Sequence, residues 1–219
     1  METLQNIADT KIIVGDGKIF YAYSQKLKKE TQYFNFALSE SWARKEDDFY
    51  IIMKPNATKD GMDNILQYLY SRKQYNSQEV KEFINTFSLA DEMLLDAYLV
   101  VLRQYFDTNI EILLKKDLLL ILDFIENHNH MQEIVVKTIF NKPKLFFSAD
   151  KFQNIPIRHL KLVISKNNLN IEELQIIKDN ILQYLNSRKQ NNPQEVKEFI
   201  TAFSLAEEKR VDAYLVMLR

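Results

Sequence analysis

A stretch of forty-one residues occurs twice in this chain, and that repetition constrains the fold more than any other feature. Residues 63–103 read DNILQYLYSRKQYNSQEVKEFINTFSLADEMLLDAYLVVLR, and residues 179–219 read DNILQYLNSRKQNNPQEVKEFITAFSLAEEKRVDAYLVMLR. At this offset of 116 residues, 31 of 41 positions are identical. Solenoid units recur about every 20–50 residues, so the spacing excludes a solenoid. A segment copied within one chain has to serve in two surroundings, and its substitutions report on both. Tyr70 and Tyr75 become Asn186 and Asn191, while Met93 and Leu94 become Lys209 and Arg210. Burying a Met or Leu contributes about 1.5–3 kcal/mol, and burying an unpaired Lys or Arg costs more. The expectation is that Met93 and Leu94 are buried and that Lys209 and Arg210 face water.

The periodicity changes along the chain. Residues 11–14 and 19–23 are short apolar runs flanking Gly15, Asp16 and Gly17, the pattern of a β-hairpin. Residues 24–38 read as helix in two pieces, broken near Thr31, and residues 49–53 as a strand closed by Pro55. From Thr58 onward apolar residues recur at spacings of three and four. They form one face with Ile65, Leu66 and Leu69, a second with Val80, Phe83, Ile84 and Phe87, and a third with Leu94, Leu95, Tyr98, Leu99 and Leu102. Further helices are expected over 110–125, 133–140, behind Pro156, and over 171–185. The mixed pattern gives way to helices alone near residues 107–109. The fold class is therefore α+β, a small sheet with flanking helices followed by an all-α extension.

The order of these elements, with particular residues, resembles a BTB/POZ domain followed by part of a BACK domain. Asp9 precedes the first strand, and Val14, Gly15, Asp16 and Gly17 look like its first hairpin turn. Phe20, Tyr21, Ala22 and Tyr23 with Leu27 are similar to the F-x-A-H…L pattern, and Tyr33 and Phe34 to S-x-Y-F, with Thr31 in the serine's place. The run 66–71 resembles L-x-Y-x-Y-S, and Ala90 and Asp91 before Leu94 resemble the A-D-x-L turn. Farther on, Phe146, Phe147 and Ser148, Phe152, and Asn168 and Leu169 before Glu172, Glu173 and Leu174 are similar to the front of a BACK domain. The resemblance implies a BTB/POZ-like domain over 7–106, a partial BACK-like domain over 107–178, and a copy of the BTB helical segment over 179–219. The copy would form helices and dock on the BACK-like helices or on another molecule. The chain departs from the family at Tyr23, in place of a frequent histidine, at Arg72, where glycine is common, and at Gln183 and Tyr184, where a tryptophan is usual. Only about eight residues precede the first strand, so the helix that builds the swapped BTB dimer is expected to be missing.

The function implied by the resemblance is a protein–protein interaction module, a substrate adaptor for a cullin-type ubiquitin ligase. The alternative is a self-associating or regulatory scaffold without a ligase role. Cullin-binding relatives carry a hydrophobic residue followed two later by glutamate after the helix that ends here near Leu38. Trp42 fills the hydrophobic place, but Arg44 stands at the glutamate, a charge reversal that acts against a contact. Leu38, Trp42, Arg44 and Phe49 are the candidate partner-binding residues. Trp42 is the only tryptophan. It reads either as an exposed hot spot or as a lid folded onto Phe36 or Phe49.

Composition excludes several classes. A net charge of −1 and a pI near 6.3 supply no basic field, so nucleic acid is not the expected partner. Without cysteine there is no disulfide, thiol nucleophile or thiolate zinc site. Three glycines cannot build a glycine-rich phosphate loop. The densest apolar run, residues 118–125, contains Asp123 and is far below the ~20 residues a membrane span requires. The first residues lack the basic and apolar regions of a signal peptide, and an intracellular location, cytoplasmic or nuclear, is expected.

His128, Asn129 and His130 read as a polar loop between helices. Two histidines at i and i+2 with Glu126 alone do not complete a metal site. His159 reads as a surface or half-buried residue at a helix start. The acidic pairs Asp47 and Asp48, and Glu172 and Glu173, read as solvated faces. No nucleophile is paired with a base at a recognisable spacing. No catalytic residue, cofactor or metal is therefore assigned. Protein partners are expected, a cullin scaffold or a second copy of the chain.

Overall fold

The computed structural model describes residues 8–142, together with 155, 156, 158, 159, 162, 194, 197 and 201. The fold is α+β, and the chain divides into two compact units, Met1–Asn109 and Ile110–Arg219. The first unit holds β1 (Thr10–Val14), β2 (Ile19–Ala22), α1 (Ser24–Glu30), α2 (Gln32–Ala37), β3 (Arg44–Glu46), β4 (Phe49–Lys54), α3 (Lys59–Ser71) and α4 (Val80–Glu92). Helix α5 (Asp96–Lys116) contains the division between the units. The second holds α6 (Leu118–Ile125) and α7 (Asn129–Asn141). Among the described residues no helix is long and apolar enough to cross a membrane.

The sheet of the first unit has the order β2-β1-β4-β3. Strand β1 runs antiparallel to β2, with Ile12 opposite Phe20, and parallel to β4, with Ile12 opposite Ile52. Alternate residues of β1 (Thr10, Ile12 and Val14) point into the core, as the two-residue period of a strand requires. Gly17 closes the hairpin at φ 78°, a conformation open to glycine, and its amide donates to Val14 O at 2.9 Å. The break between α1 and α2 lies at Thr31. Its backbone is extended, and its hydroxyl accepts from the Phe34 amide at 3.2 Å, capping α2.

Asp9 fixes the start of α1. Its carboxylate accepts from the Ser24 amide at 2.7 Å and from the Ser24 hydroxyl. Burial opposes ionisation of Asp9, yet these hydrogen bonds hold its carboxyl below the usual carboxylate range.

Helices α3 and α4 pack on each other, burying Ile65 and Leu69 of one and Phe83 and Phe87 of the other. The Tyr68 ring stacks on Tyr98 of α5 at 4.1 Å, and Phe83 sits against Tyr75, Tyr105 and Phe106. Thr58 caps α3 by accepting from the Gly61 amide at 3.1 Å. Asn85 of α4 reaches into this cap. Its Oδ1 accepts from the Thr58 amide at 3.1 Å and hydroxyl at 2.8 Å, and its Nδ2 donates to Asn56 O at 3.1 Å. A Cβ at position 61 would lie 2.1 Å from Asn85 Oδ1, so glycine is what allows the approach.

In the second unit, Asp117 accepts from the Leu120 amide at 3.2 Å and caps α6. The buried Gln132 amide donates to Ile125 O at 2.9 Å and Glu126 O at 2.8 Å, pairing carbonyls at the end of α6.

The expected hairpin, the two-piece helix and the strand before Pro55 are present. Other readings need correction. The helix expected over 110–125 is interrupted at Asp117, which caps rather than continues it. The stretch 128–130 is not a loop, because Asn129 and His130 open α7. Met93 is fully buried, but Leu94 is exposed. The chain leaves α4 there with Leu94 at φ 54°, which turns its side chain outward. The readings of 146–148, Phe152, 168–174, the helix over 171–185, Gln183 and Tyr184, and Lys209 and Arg210 lie outside the described residues. Of the second copy, Gln194, Lys197 and Thr201 are helical and exposed, and the Thr201 hydroxyl donates to Lys197 O at 2.9 Å.

Candidate partner-binding surface

Apolar side chains gather on the surface of the first unit where α2 ends. Within α2 the aromatic residues divide by helical spacing. Phe34, with Leu38 one turn on, points into the core and is fully buried. Tyr33, Phe36 and Ala37 lie on another face. After Leu38 the chain makes tight turns. Ser39 N donates to Phe36 O at 3.1 Å, Trp42 N to Ser39 O at 3.2 Å, and Ala43 N to Ser39 O at 2.8 Å. These turns present Trp42 just before β3.

Leu94 arrives from the other side. The α4 terminus is closed by the Met93 amide on Leu89 O at 2.9 Å and the Leu95 amide on Ala90 O at 2.9 Å. This end favours glycine in the left-handed residue. A leucine there costs about 1–2 kcal/mol by steric crowding.

Tyr33, Phe36, Ala37, Trp42 and Leu94 line an apolar hollow of about 540 Å³. Trp42 is 81% exposed, Phe36 68% and Leu94 56%. Large apolar side chains exposed singly are ordinary, but a contiguous group rimmed by polar chain marks a contact surface. The support beneath it is ionic. The buried Lys54 ammonium of β4 lies 4.2 Å from the Tyr33 ring centroid and 2.6 Å from Glu92 Oε1. One cation thus ties the wall of the hollow to the end of the helix that delivers Leu94. A cation over a tyrosine ring contributes about 0.5–2 kcal/mol, more as it is desolvated.

The four residues singled out in the sequence do not meet here. Leu38 is a correction: its side chain is fully buried and anchors α2 from beneath. Arg44 stands exposed on β3 and pairs with Glu46 along the same strand. Phe49 is half-buried on β4, edge-on to Tyr21 at 5.9 Å and under the Lys11 ammonium at 4.1 Å. Only Trp42 lines the hollow, and it is not a lid on the core. Phe36 and Leu94 were missed. The spacing of 33, 36 and 37 on one helical face was the available signal for Phe36. For Leu94 there was none, since Met93, Leu94 and Leu95 are consecutive and apolar.

Scans against protein-family models and against curated proteins find no match to the chain.

Metal-capable side chains come together in the second unit, at Asp123, Glu126 and His159. His159 is fully buried rather than at the surface or half-buried as expected, and its carboxylate partners lie more than thirty residues away in sequence, where no local pattern shows them. His128 stands at the N-cap position of α7 with its Nδ1 turned back to Phe124 O of α6 at 2.8 Å, and is no part of that group.

Proposed function

We propose that this chain is a protein–protein interaction module whose contact surface is the hollow around Trp42. Its partner is a protein that inserts an apolar side chain between Trp42, Phe36 and Leu94. The observation that carries this reading is an exposed tryptophan held beside two other exposed apolar residues, one of them in a left-handed conformation that leucine adopts at a cost. Strain at an exposed apolar residue points to a role outside folding. Tryptophan in such a setting is the commonest kind of binding hot spot. The BTB/POZ resemblance of residues 7–106, with its BACK-like extension, supplies the kind of partner. We infer a substrate-adaptor role, with a cullin scaffold as the protein that docks.

Self-association is the second reading, and Arg44 favours it. An exposed cation stands where cullin-binding relatives carry glutamate, and a wrong-sign charge at a contact weakens it.

Co-purification of the chain with a cullin N-terminal domain, alongside its solution mass, tests both. The adaptor reading expects a complex at micromolar concentration that Trp42→Ala weakens by at least about 2 kcal/mol, the hot-spot scale. A dimeric mass that Trp42→Ala converts to monomer, with no cullin bound, moves the assignment to self-association. A monomer that binds no cullin, or binding indifferent to Trp42→Ala, overturns the surface.

A further inference from the structure

The charged cluster of the second unit asks a different question. Asp123 and Glu126 stand one helical turn apart at the end of α6, so both carboxylates project from one side of the helix. Both have side chains open to solvent, whereas the His159 side chain is only 1% exposed. Its Nε2 lies 2.9 Å from Glu126 Oε1 and 3.2 Å from Asp123 Oδ1. Neither contact has the alignment of a hydrogen bond, and both ring nitrogens are buried without a hydrogen-bond partner among the described residues. An imidazole in that state is costly unless something completes it.

The same two oxygens already face a cation. Arg158 donates from Nη2 to Asp123 Oδ1 and from Nε to Glu126 Oε1, each at 2.6 Å. Its guanidinium is exposed and sits on a long side chain, so it can leave without disturbing the fold. The α6 C-terminus, with its aligned carbonyls, favours a cation at this place. Gln132 holds two of those carbonyls and so steadies the backbone of Glu126.

We propose that Asp123, Glu126 and His159 form a binding site for a divalent transition metal, Zn²⁺ above all, with Arg158 as the cation that competes for the carboxylates. Nitrogen and carboxylate ligands around zinc lie about 2.0–2.2 Å from the ion, which places neighbouring ligand atoms of a tetrahedron about 3.3–3.6 Å apart. The observed 2.9 and 3.2 Å are a few tenths shorter, and all three atoms lie within 4.8 Å of one another, so small side-chain shifts bring them around one ion. One imidazole with two carboxylates suits a borderline ion better than Mg²⁺ or Ca²⁺, which take oxygen. Three protein ligands leave a fourth position for water or an external ligand.

Calorimetric titration of the metal-free full chain with Zn²⁺ tests the site. The wild type takes up one equivalent, and Arg158→Gln, which removes the competing charge, binds about tenfold more tightly. His159→Ala weakens binding by at least about 100-fold, beyond what changes outside the ligand set cost. The paired change Asp123→Asn with Glu126→Gln does the same at exposed positions where the fold is not at risk. Replacing His128 and His130 by alanine leaves the titration unchanged. Absence of stoichiometric uptake by both the wild type and Arg158→Gln overturns the proposal. So does uptake that survives the paired carboxylate change.

Discussion

Four of the ten differences between the two copies of the repeated segment fall where a side chain of the first copy touches chain that was not copied. In the first copy the Tyr70 hydroxyl accepts from the Tyr23 amide at 2.8 Å, and Tyr75 lies edge-on to Tyr105. Asn85 bonds Thr58 and Asn56, and Leu94 closes the hollow with Tyr33, Phe36, Ala37 and Trp42. Every one of those partners lies outside residues 63–103. At the corresponding positions the second copy carries Asn186, Asn191, Thr201 and Arg210. Residues of several contacts internal to the segment recur, although Ser77 and Thr86, which bond Glu82 and Asn64, become Pro193 and Ala202. Asn64 donates to Glu82 at 2.8 Å, and both recur as Asn180 and Glu198. The rings of Tyr68, Phe83, Phe87 and Tyr98 recur as well. Glu92 and Arg72 are exceptions, since they pair with Lys54 and Glu30 outside the segment yet recur as Glu208 and Arg188. An exposed glutamate costs little without its partner. The difference teaches that the helix pair is specified by its own residues, whereas its outward contacts belong to the frame around it.

The most forceful way to break that comparison is to place the second copy's residue at the deepest differing position. Met93 is fully buried, and Met93→Lys strands a charge in an apolar site. It should destabilise the first unit by about 3 kcal/mol or more in urea unfolding. A loss under about 1 kcal/mol would mean the site tolerates lysine, and that the copies did not diverge for reasons of burial.

The parts of the fold that were legible in the sequence share one property: their cause is local. The hairpin turn is set by Gly17, the helix break by Thr31, and the strand end by Pro55. Strand β3 was not legible, because Arg44, Lys45 and Glu46 show no apolar alternation and take their conformation from pairing with β4. The cap at Asp117 was not legible, because Leu113, Leu114, Leu118 and Ile121 carry a helical period across it. Trp42 could be singled out, but not the hollow, since Leu94 joins it from fifty-two residues away through a backbone angle no pattern announces. The His159 cluster was hidden for the same reason.

A subtler test uses two positions together. At the same offset Ile177, just ahead of the second copy, stands at the position of Gly61, and Thr201 of the copy at that of Asn85. The described Thr201 hydroxyl bonds its own helix instead of reaching outward. Gly61→Ala alone should cost about 1–2 kcal/mol, because the new methyl pushes Asn85 off Thr58. Asn85→Thr alone should cost about 1 kcal/mol. In the Asn85→Thr background, Gly61→Ala should become neutral or stabilise by up to about 1 kcal/mol, the helix preference of alanine over glycine. Additive costs in this double-mutant cycle would show that the two positions did not diverge as a pair.

Leu94 separates folding from binding. Leu94→Arg, the second copy's residue, should change stability by no more than about 0.5 kcal/mol, since the side chain faces solvent. Leu94→Gly should stabilise by about 0.5–1 kcal/mol as the left-handed backbone is relieved. Both should weaken partner binding at the hollow. Destabilisation by either change would mean that Leu94 is kept for the fold, and that Arg210 reports a different backbone rather than a lost contact.

The smallest expected effect concerns Tyr75, whose hydroxyl is buried with no hydrogen-bond partner among the described residues. Burial pushes the Tyr75 and Tyr98 phenols well above the ordinary tyrosine value of about 10. Once pH passes that value the unfolded chain loses these protons while the folded chain keeps them. The folded state then binds more protons, and stability falls as pH rises. Tyr98 recurs as Tyr214, but Tyr75 becomes Asn191, so the second copy keeps only one of these two tyrosines in its sequence. Tyr75→Phe keeps the ring against Phe83 and Tyr105 and removes only the hydroxyl. Near neutral pH it should shift stability by no more than about 0.5 kcal/mol, and above pH 10 its stability should fall less steeply than the wild type's. Parallel curves above pH 10 would show that the Tyr75 phenol ionises in the folded state as it does in water. Position 75 would then not be set by burial against the frame, and its change to asparagine would lose its explanation.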